Sequence, residues 1–201
     1  MKQLRNRFVI LLTMAMAIAA FIALPAEAAT WSVDSSHSSV GFSVKHLAIS
    51  KTKGTFDDYT ATFSFDPGKP ESWQAEATIQ VASINTDDAK RDDHLRSADF
   101  FDVAEHPTMV FKSTGVKMKD EEEGVLYGEL TMLGVTKPIK LDLEVSEVIQ
   151  DPWGNTRVGF TAETKIDRKD WGLTWNKTLD SGGLVVGNDV KITIEIEGIQ
   201  Q

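Results

Sequence analysis

Apolar and polar residues alternate with period two through most of this chain. Val40, Phe42 and Val44 alternate with Ser39, Gly41, Ser43 and Lys45. The same rhythm runs through Tyr59, Ala61, Phe63 and Phe65, and through Trp73, Ala75, Ala77, Ile79 and Val81. It returns in Ile139, Leu141, Leu143 and Val145, in Val158, Phe160, Ala162 and Ile166, and in Val190, Ile192, Ile194 and Ile196. Successive side chains of a strand face opposite ways, so each run predicts a strand with one apolar face. Weaker alternation over 108–116 and 125–133 brings the set to about eight. Turn chemistry separates the runs at Asp66-Pro67-Gly68-Lys69-Pro70, Asp120–Gly124, Asp151-Pro152-Trp153-Gly154-Asn155 and Ser181-Gly182-Gly183.

One apolar face on every strand requires one shared interior. With too few helices to cover a sheet, the strands must form a sandwich or close on themselves. Small inward residues (Ala61, Ala75, Ala77, Ala162) stand beside Phe63, Phe65 and Phe160. That mixture suits a barrel with a tunnel, and it equally suits a tapering packed core. The stretch from Thr86 to Phe101 breaks the alternation. It predicts a short helix or helical loop over one end of the barrel, capped by Thr86, with Asp87 and Asp88 in the first turn.

The N-terminus changes the compartment. Lys2, Arg5 and Arg7 precede an apolar run from Phe8 to Leu24, and Ala26-Glu27-Ala28 follows. This predicts a secretory signal over residues 1–28, cleaved after Ala28, rather than a membrane anchor, since the run falls short of the roughly 20 apolar residues of a spanning helix. Residues 29–201 then form one domain. Cysteine is absent, so stability comes from the core alone. Removing three basic residues and one acid takes the net charge from −9 to −9 − 3 + 1 = −11. That balance argues against nucleic acid and against anionic membrane surfaces as default partners. Oligomeric state is left open, a homodimer included.

Few residues invite chemistry. Arg91-Asp92-Asp93-His94 is the densest polar cluster, but no second histidine stands three or four residues away. A solvated helix with internally paired ions accounts for it better than a metal site. Asp34, Ser36 and His37 are the residue types of a hydrolytic triad. However, no Gly-x-Ser-x-Gly elbow accompanies them, and backbone hydrogen bonding where a strand begins is the simpler expectation. Trp171 and Trp175 either line a ligand's path or seal one end of the core.

Taken in order, several segments resemble the YceI-like polyisoprenoid-binding family. They are Asp34-Ser35-Ser36-His37-Ser38 with Gly41-Phe42-Ser43-Val44-Lys45-His46-Leu47, then Gly54-Thr55-Phe56. Next come Arg91-Asp92-Asp93-His94-Leu95-Arg96-Ser97-Ala98-Asp99-Phe100-Phe101-Asp102 with His106-Pro107, and Gly128-Glu129-Leu130-Thr131 with Leu133-Gly134-Val135-Thr136-Lys137-Pro138. Arg168-Lys169-Asp170-Trp171-Gly172 and Val186-Gly187 complete the series. The resemblance implies an all-β, eight-stranded, lipocalin-like antiparallel barrel in the bacterial periplasm. It implies a long isoprenoid held inside, without catalysis, metal or cofactor. The inward residues Val40, Phe42, Val44, Phe63, Phe65, Ala77, Ile79, Leu141, Leu143, Phe160, Ile192 and Ile194, with Trp171 and Trp175, then become the expected ligand-binding set. For a head group at the mouth, Lys45, Arg91, Arg96 and Arg168 are the candidate cations, assisted by His46 and His94. Two other readings stand beside this one. One is an enzyme acting on an isoprenoid lipid, with His94 and Asp92 as acid and base. The other is a stress-related protein holding another amphiphile, such as a fatty acid or amide.

Overall fold

A computed structural model describes residues 30–178 and 183–201. The expected signal segment, its cleavage position and the Ser181-Gly182 part of the last turn lie outside these residues. Twelve strands and one helix follow in chain order: β1 (Trp31–Val33), β2 (Ser39–His46), β3 (Ser50–Phe56), β4 (Tyr59–Ser64), β5 (Gln74–Gln80), β6 (Ile84–Asn85), α1 (Ala89–Arg96), β7 (Thr108–Met118), β8 (Glu123–Met132), β9 (Val135–Val145), β10 (Ile149–Gln150), β11 (Thr156–Asp167) and β12 (Val186–Gln200).

All pairings between these strands are antiparallel, in the order β4-β5-β7-β8-β9-β11-β12-β2-β3-β6, with β1 on β12 and β10 on β11. β3 runs into β4 through Asp57-Asp58, so the curled sheet meets itself. A bridge between Thr30 and Ser64 draws the β4 edge toward the β1 end of β12. The all-β antiparallel class is as expected, but the strands number twelve rather than eight; β1, β6 and β10 are short additions, and β3 and β4 follow one another as a bent pair.

The alternation explains the interior. Directly opposite residues share a face, and Ile194 stands opposite both Ala162 on β11 and Val40 on β2, while Ile192 stands opposite Phe42. Two clusters of buried side chains result. One gathers Phe56, Ile79, Phe100, Met109, Leu130, Ile166 and Trp171, and the other Trp31, Phe65, Trp73, Phe111, Leu141, Leu143 and Val158. Ala77 and Ile139 pack against both.

β3 was not predicted, because Ser50-Lys51-Thr52-Lys53 carries no apolar alternation. It forms through backbone pairing with β2, and Gly54 makes the approach possible. A Cβ there would lie 2.6 Å from the Phe42 ring and 2.8 Å from the Asn85 carbonyl oxygen. The β2–β3 turn is also unusual. Leu47 and Ala48 occupy its centre with φ of 52° and 59°, each at a cost of about 1–2 kcal/mol relative to right-handed backbone.

The cap of α1 corrects the sequence reading. Asp88, not Thr86, is the N-cap, its side chain accepting from Arg91 N. Asp87, with φ 60°, turns the chain before the helix begins, and Thr86 is buried beneath it.

Candidate functional site

Between the two buried clusters lies a cavity of about 260 Å³, close to the lower end of the range for small-molecule sites, about 300 Å³. Its wall draws on both clusters, from Met132 and Leu173 to Trp73 and Leu143, so it runs along the barrel interior. Almost all of the exposed wall is carbon. Polar residues at its border, Tyr59 and Arg168 among them, turn their apolar parts toward it.

Of the expected ligand-binding residues, Val40, Phe42, Val44, Phe63, Phe65, Ala77, Ile79, Leu141, Leu143, Phe160, Ile192 and Ile194 line this cavity. Trp171 and Trp175 do not. Trp171 is buried behind the wall, its indole N–H donating to the Leu130 carbonyl at 3.0 Å. Trp175 packs against a tilted Phe100 ring and an edge-on His94 ring, each at 4.9 Å between ring centroids. Both tryptophans therefore seal one end. Alternation also did not identify the lid side chains Leu95, Phe100 and Phe101, which complete the wall from the α1 segment. Phe100 is buried there, whereas Ala98, between Leu95 and Phe101, is exposed.

The head-group candidates are not gathered at a mouth. Arg91 donates through Nε to Thr86 Oγ1 and through Nη2 to Thr86 O, both at 2.7 Å. Arg96 reaches Ala82 O at 2.8 Å, Ile84 O at 2.9 Å and Asp93 at 3.1 Å. These arginines tether α1 to the barrel, which corrects the picture of a merely solvated helix. His94 stands 2.9 Å from Asp99. Lys45 lies on the outer face opposite Lys51, and His46 ends β2. Arg168 alone of the six borders the cavity, almost completely buried. It donates to Gly187 O at 2.9 Å and to Leu173 O, while Nη2 has no partner. Burial pushes its pKa down. Burial likewise pushes the Tyr59 phenol up. Its hydroxyl has no hydrogen bond, although nearby Ser38 partly offsets the shift; Ser38 itself donates to Asp34 O and accepts from Glu197 N.

The Asp34 region is a structural clasp. Asp34 and Ser36 both address His37 Nδ1, at 3.0 and 3.4 Å. A triad would need them on opposite ring nitrogens. Asp34, His37 and Glu197 could together hold a metal ion by proximity, but the Arg157 guanidinium already occupies that place. It donates to Asp34 at 2.8 Å, to Asp151 at 2.6 Å and to Glu197. The four residues come from widely separated positions, so no local motif announced them. Hydrogen bonds from Ser36, then Arg157 and His37, hold the Asp34 carboxyl far below its ordinary range. Burial alone would raise Asp151, but hydrogen bonds from Asn155, Arg157 and the backbone of Asn155 and Trp153 outweigh it and hold that carboxyl low as well. His37 is raised above 6.5 by its hydrogen bond to Asp34.

These shifts set a pH dependence. Depressed carboxyls contribute stability that is present above the unfolded value of 3.8 and lost as pH falls through their folded values. The raised His37 contributes below 6.5, and its share disappears as pH rises through its folded value. Thermal unfolding of Arg157→Met should show a lower midpoint at neutral pH and a shallower decline below about pH 4. An unchanged slope would show that Arg157 does not hold the two carboxyls low.

The comparisons with known proteins cover this same domain. The model of the YceI-like domain matches residues 31–198. Protein YceI of Escherichia coli O157:H7 is 42% identical over 183 residues, 90% of this chain and 92% of that one. The crystal structure of a Campylobacter jejuni YCEI protein superposes with a TM-score of 0.68 at 37% identity, over 78% of this chain and 90% of that one. A polyisoprenoid binding domain from Saccharophagus degradans has the same fold, with a TM-score of 0.62 and 15% identity over 86% of this chain and 99% of that one.

Proposed function

Because this chain belongs to the YceI-like family, we propose that it binds a long-chain isoprenoid inside the barrel and carries or stores it unchanged in the periplasm. The observation that carries this reading is the continuous, almost wholly apolar wall of the cavity. Such a wall offers a ligand no hydrogen bond, so it selects hydrocarbon by length and girth. The polyisoprenoid binding domain of Saccharophagus degradans supports the class of ligand, and the signal-like run of basic, apolar and small residues over 1–28 supports the compartment. The reading as a carrier rather than an enzyme draws support from Asp92 and His94. Both side chains face other partners, Thr86 and Asp99, and neither lines the cavity.

Energetics favour a long ligand. Burying a methylene contributes about 0.8 kcal/mol, hence roughly 3–4 for an isoprene unit. Association costs on the order of 4–15 kcal/mol. One or two units barely offset that cost, whereas several exceed it. Affinity for prenyl alcohols should therefore climb steeply with each added unit until the cavity is full. Native mass spectrometry of freshly purified protein should show a retained lipid. Equal affinities for short and long chains would sink the reading.

A further inference from the structure

The tip of the β2–β3 hairpin combines three features that folding alone does not require. The first is backbone strain. Ile49 N bonds to His46 O across a turn whose central residues, Leu47 and Ala48, both have positive φ. Hairpins place Asn-Gly or Gly there, because those residues tolerate left-handed backbone. Here the positions hold two apolar residues instead.

The second is apolar exposure. Ile49 is 83% exposed and the neighbouring Leu184 is 41% exposed. They belong to one surface, since Leu47 N bonds to Val185 O at 2.9 Å. A single exposed isoleucine is ordinary; one held out on a strained turn beside a second apolar side chain is not.

The third is charge. Lys45 stands directly opposite Lys51, with Lys53 one step further along the same outer face. Like charges directly opposite destabilise a sheet. Among the described residues none of the three has a carboxylate within 4.0 Å. The adjoining outer-face acids Asp189 and Glu163 are held by Lys165 and Lys191, and Asp167 caps a 3₁₀ turn, which leaves Asp142, among the described residues, as the acid that borders the same groove without a basic partner. All this occurs in a chain whose net charge is −9.

We propose that this tip docks on the surface of an anionic phospholipid bilayer, with Ile49 and Leu184 entering the interface and Lys45 and Lys51 meeting the lipid phosphates. Lys51 lies two steps along the chain from Ile49, about 7 Å at roughly 3.3 Å per residue, which suits an apolar tip below a ring of charge. The tip also stands at one end of the cavity. Val44 and Val186, beside the His46–Val186 pair, are both in its wall. Docking there would put the cavity against the bilayer. The other exposed apolar hairpin, with Ile149 at 55% and Trp153 at 81%, lies at the opposite end of β12. Asp151 is buried there against Arg157, so the charge left beside this hairpin is Glu147 and no cation answers an anionic surface. The proposal holds whatever fills the cavity.

The test is co-sedimentation of the purified protein with phosphatidylcholine vesicles, with and without about one-third phosphatidylglycerol. Binding should require the anionic lipid and fall as salt is added. Each lysine near such a surface contributes about fivefold, so Lys51→Glu, a change of two charges, should weaken binding roughly 25-fold. The same substitution removes the Lys45–Lys51 repulsion, so its thermal midpoint should hold or rise. Ile49→Ser should also weaken binding, whereas Trp153→Ala should leave it unchanged. Protein recovered after export, with residues 1–28 removed as the sequence predicts, is used for every variant, so the apolar N-terminal run cannot insert into the vesicles. Failure of the wild type to bind anionic vesicles overturns the proposal and leaves the tip to an acidic protein partner. Full binding by Lys51→Glu and Ile49→Ser overturns it too, as does loss of binding in Trp153→Ala. Loss of prenyl-alcohol affinity in solution bears on the cavity alone.

Discussion

Replacing Ala77 with phenylalanine should lower affinity for a long prenyl alcohol by at least about 100-fold while leaving a two-unit alcohol within a few-fold. Ala77 lies in the cavity wall and packs against both buried clusters, so it stands at the waist where one half of the cavity joins the other. Its cross-strand neighbours are Ala61 on β4 and Phe111 on β7. A benzyl group at the waist cannot retreat into Phe111 and must project across the void. Two isoprene units denied the far half lose roughly 6–8 kcal/mol of burial. Partial refilling by neighbouring side chains reduces the observed loss, and about 3 kcal/mol is enough for a factor of 100. The fold should tolerate the change, because the added ring fills empty volume rather than overpacking a full core. Titration of short and long prenyl alcohols, with a thermal melt of the unliganded variant, separates the two effects. Unchanged long-chain affinity in a well-folded variant would falsify the idea that the ligand passes the waist.

That waist also marks how far the sequence could be read. Alternation located every long strand that carries an apolar stripe, and it put Ala77, Ile79, Leu141 and Ile194 on the inner face. It could not distinguish a cavity from a packed core, because the same small residues serve both; the difference lies in whether opposing walls touch. β3 was invisible for a related reason. Two of its inward positions, Thr52 and Gly54, opposite Val44 and Phe42, carry no large apolar side chain, and only Phe56 at its end joins the core, so no apolar stripe announces it. The charged residues were the least legible. Arg91, Arg96, His94 and Arg168 look alike as cations in a motif, yet the three arginines bind the protein's own carbonyls and hydroxyl, and Arg96 and His94 each meet a carboxylate. Which acceptor a long side chain finds depends on chain crossings that leave no local trace. Arg157, with partners at positions 34, 151 and 197, is the extreme case.

Asp92→Ala should destabilise the protein by about 3–5 kcal/mol, with the damage concentrated in residues 86–103. Asp92 is a carboxylate with only 6% exposure, and its Oδ1 accepts from both the amide and the hydroxyl of Thr86, itself 6% exposed. Arg91 completes the arrangement by donating to the Thr86 hydroxyl and carbonyl. Every polar group of Thr86 is thus matched inside the protein. Truncation leaves its N–H and O–H without acceptors in a buried place, each worth about 1–3 kcal/mol. Asp92→Asn keeps an acceptor oxygen and should cost less than half as much. The segment so released carries Leu95, Phe100 and Phe101, part of the cavity wall. A thermal midpoint lower by about 10 °C should accordingly come with faster amide exchange across 86–103 and faster ligand release. An Asp92→Ala protein within about 1 kcal/mol of wild type would mean that Thr86 finds water there instead. Bound ligand adds a further discrimination. A chain packed against Phe100 and Phe101 stabilises the closed segment by mass action, so saturation with long prenyl alcohol should slow exchange in 86–103 more in Asp92→Ala than in the wild type, where Asp92 already holds the segment shut.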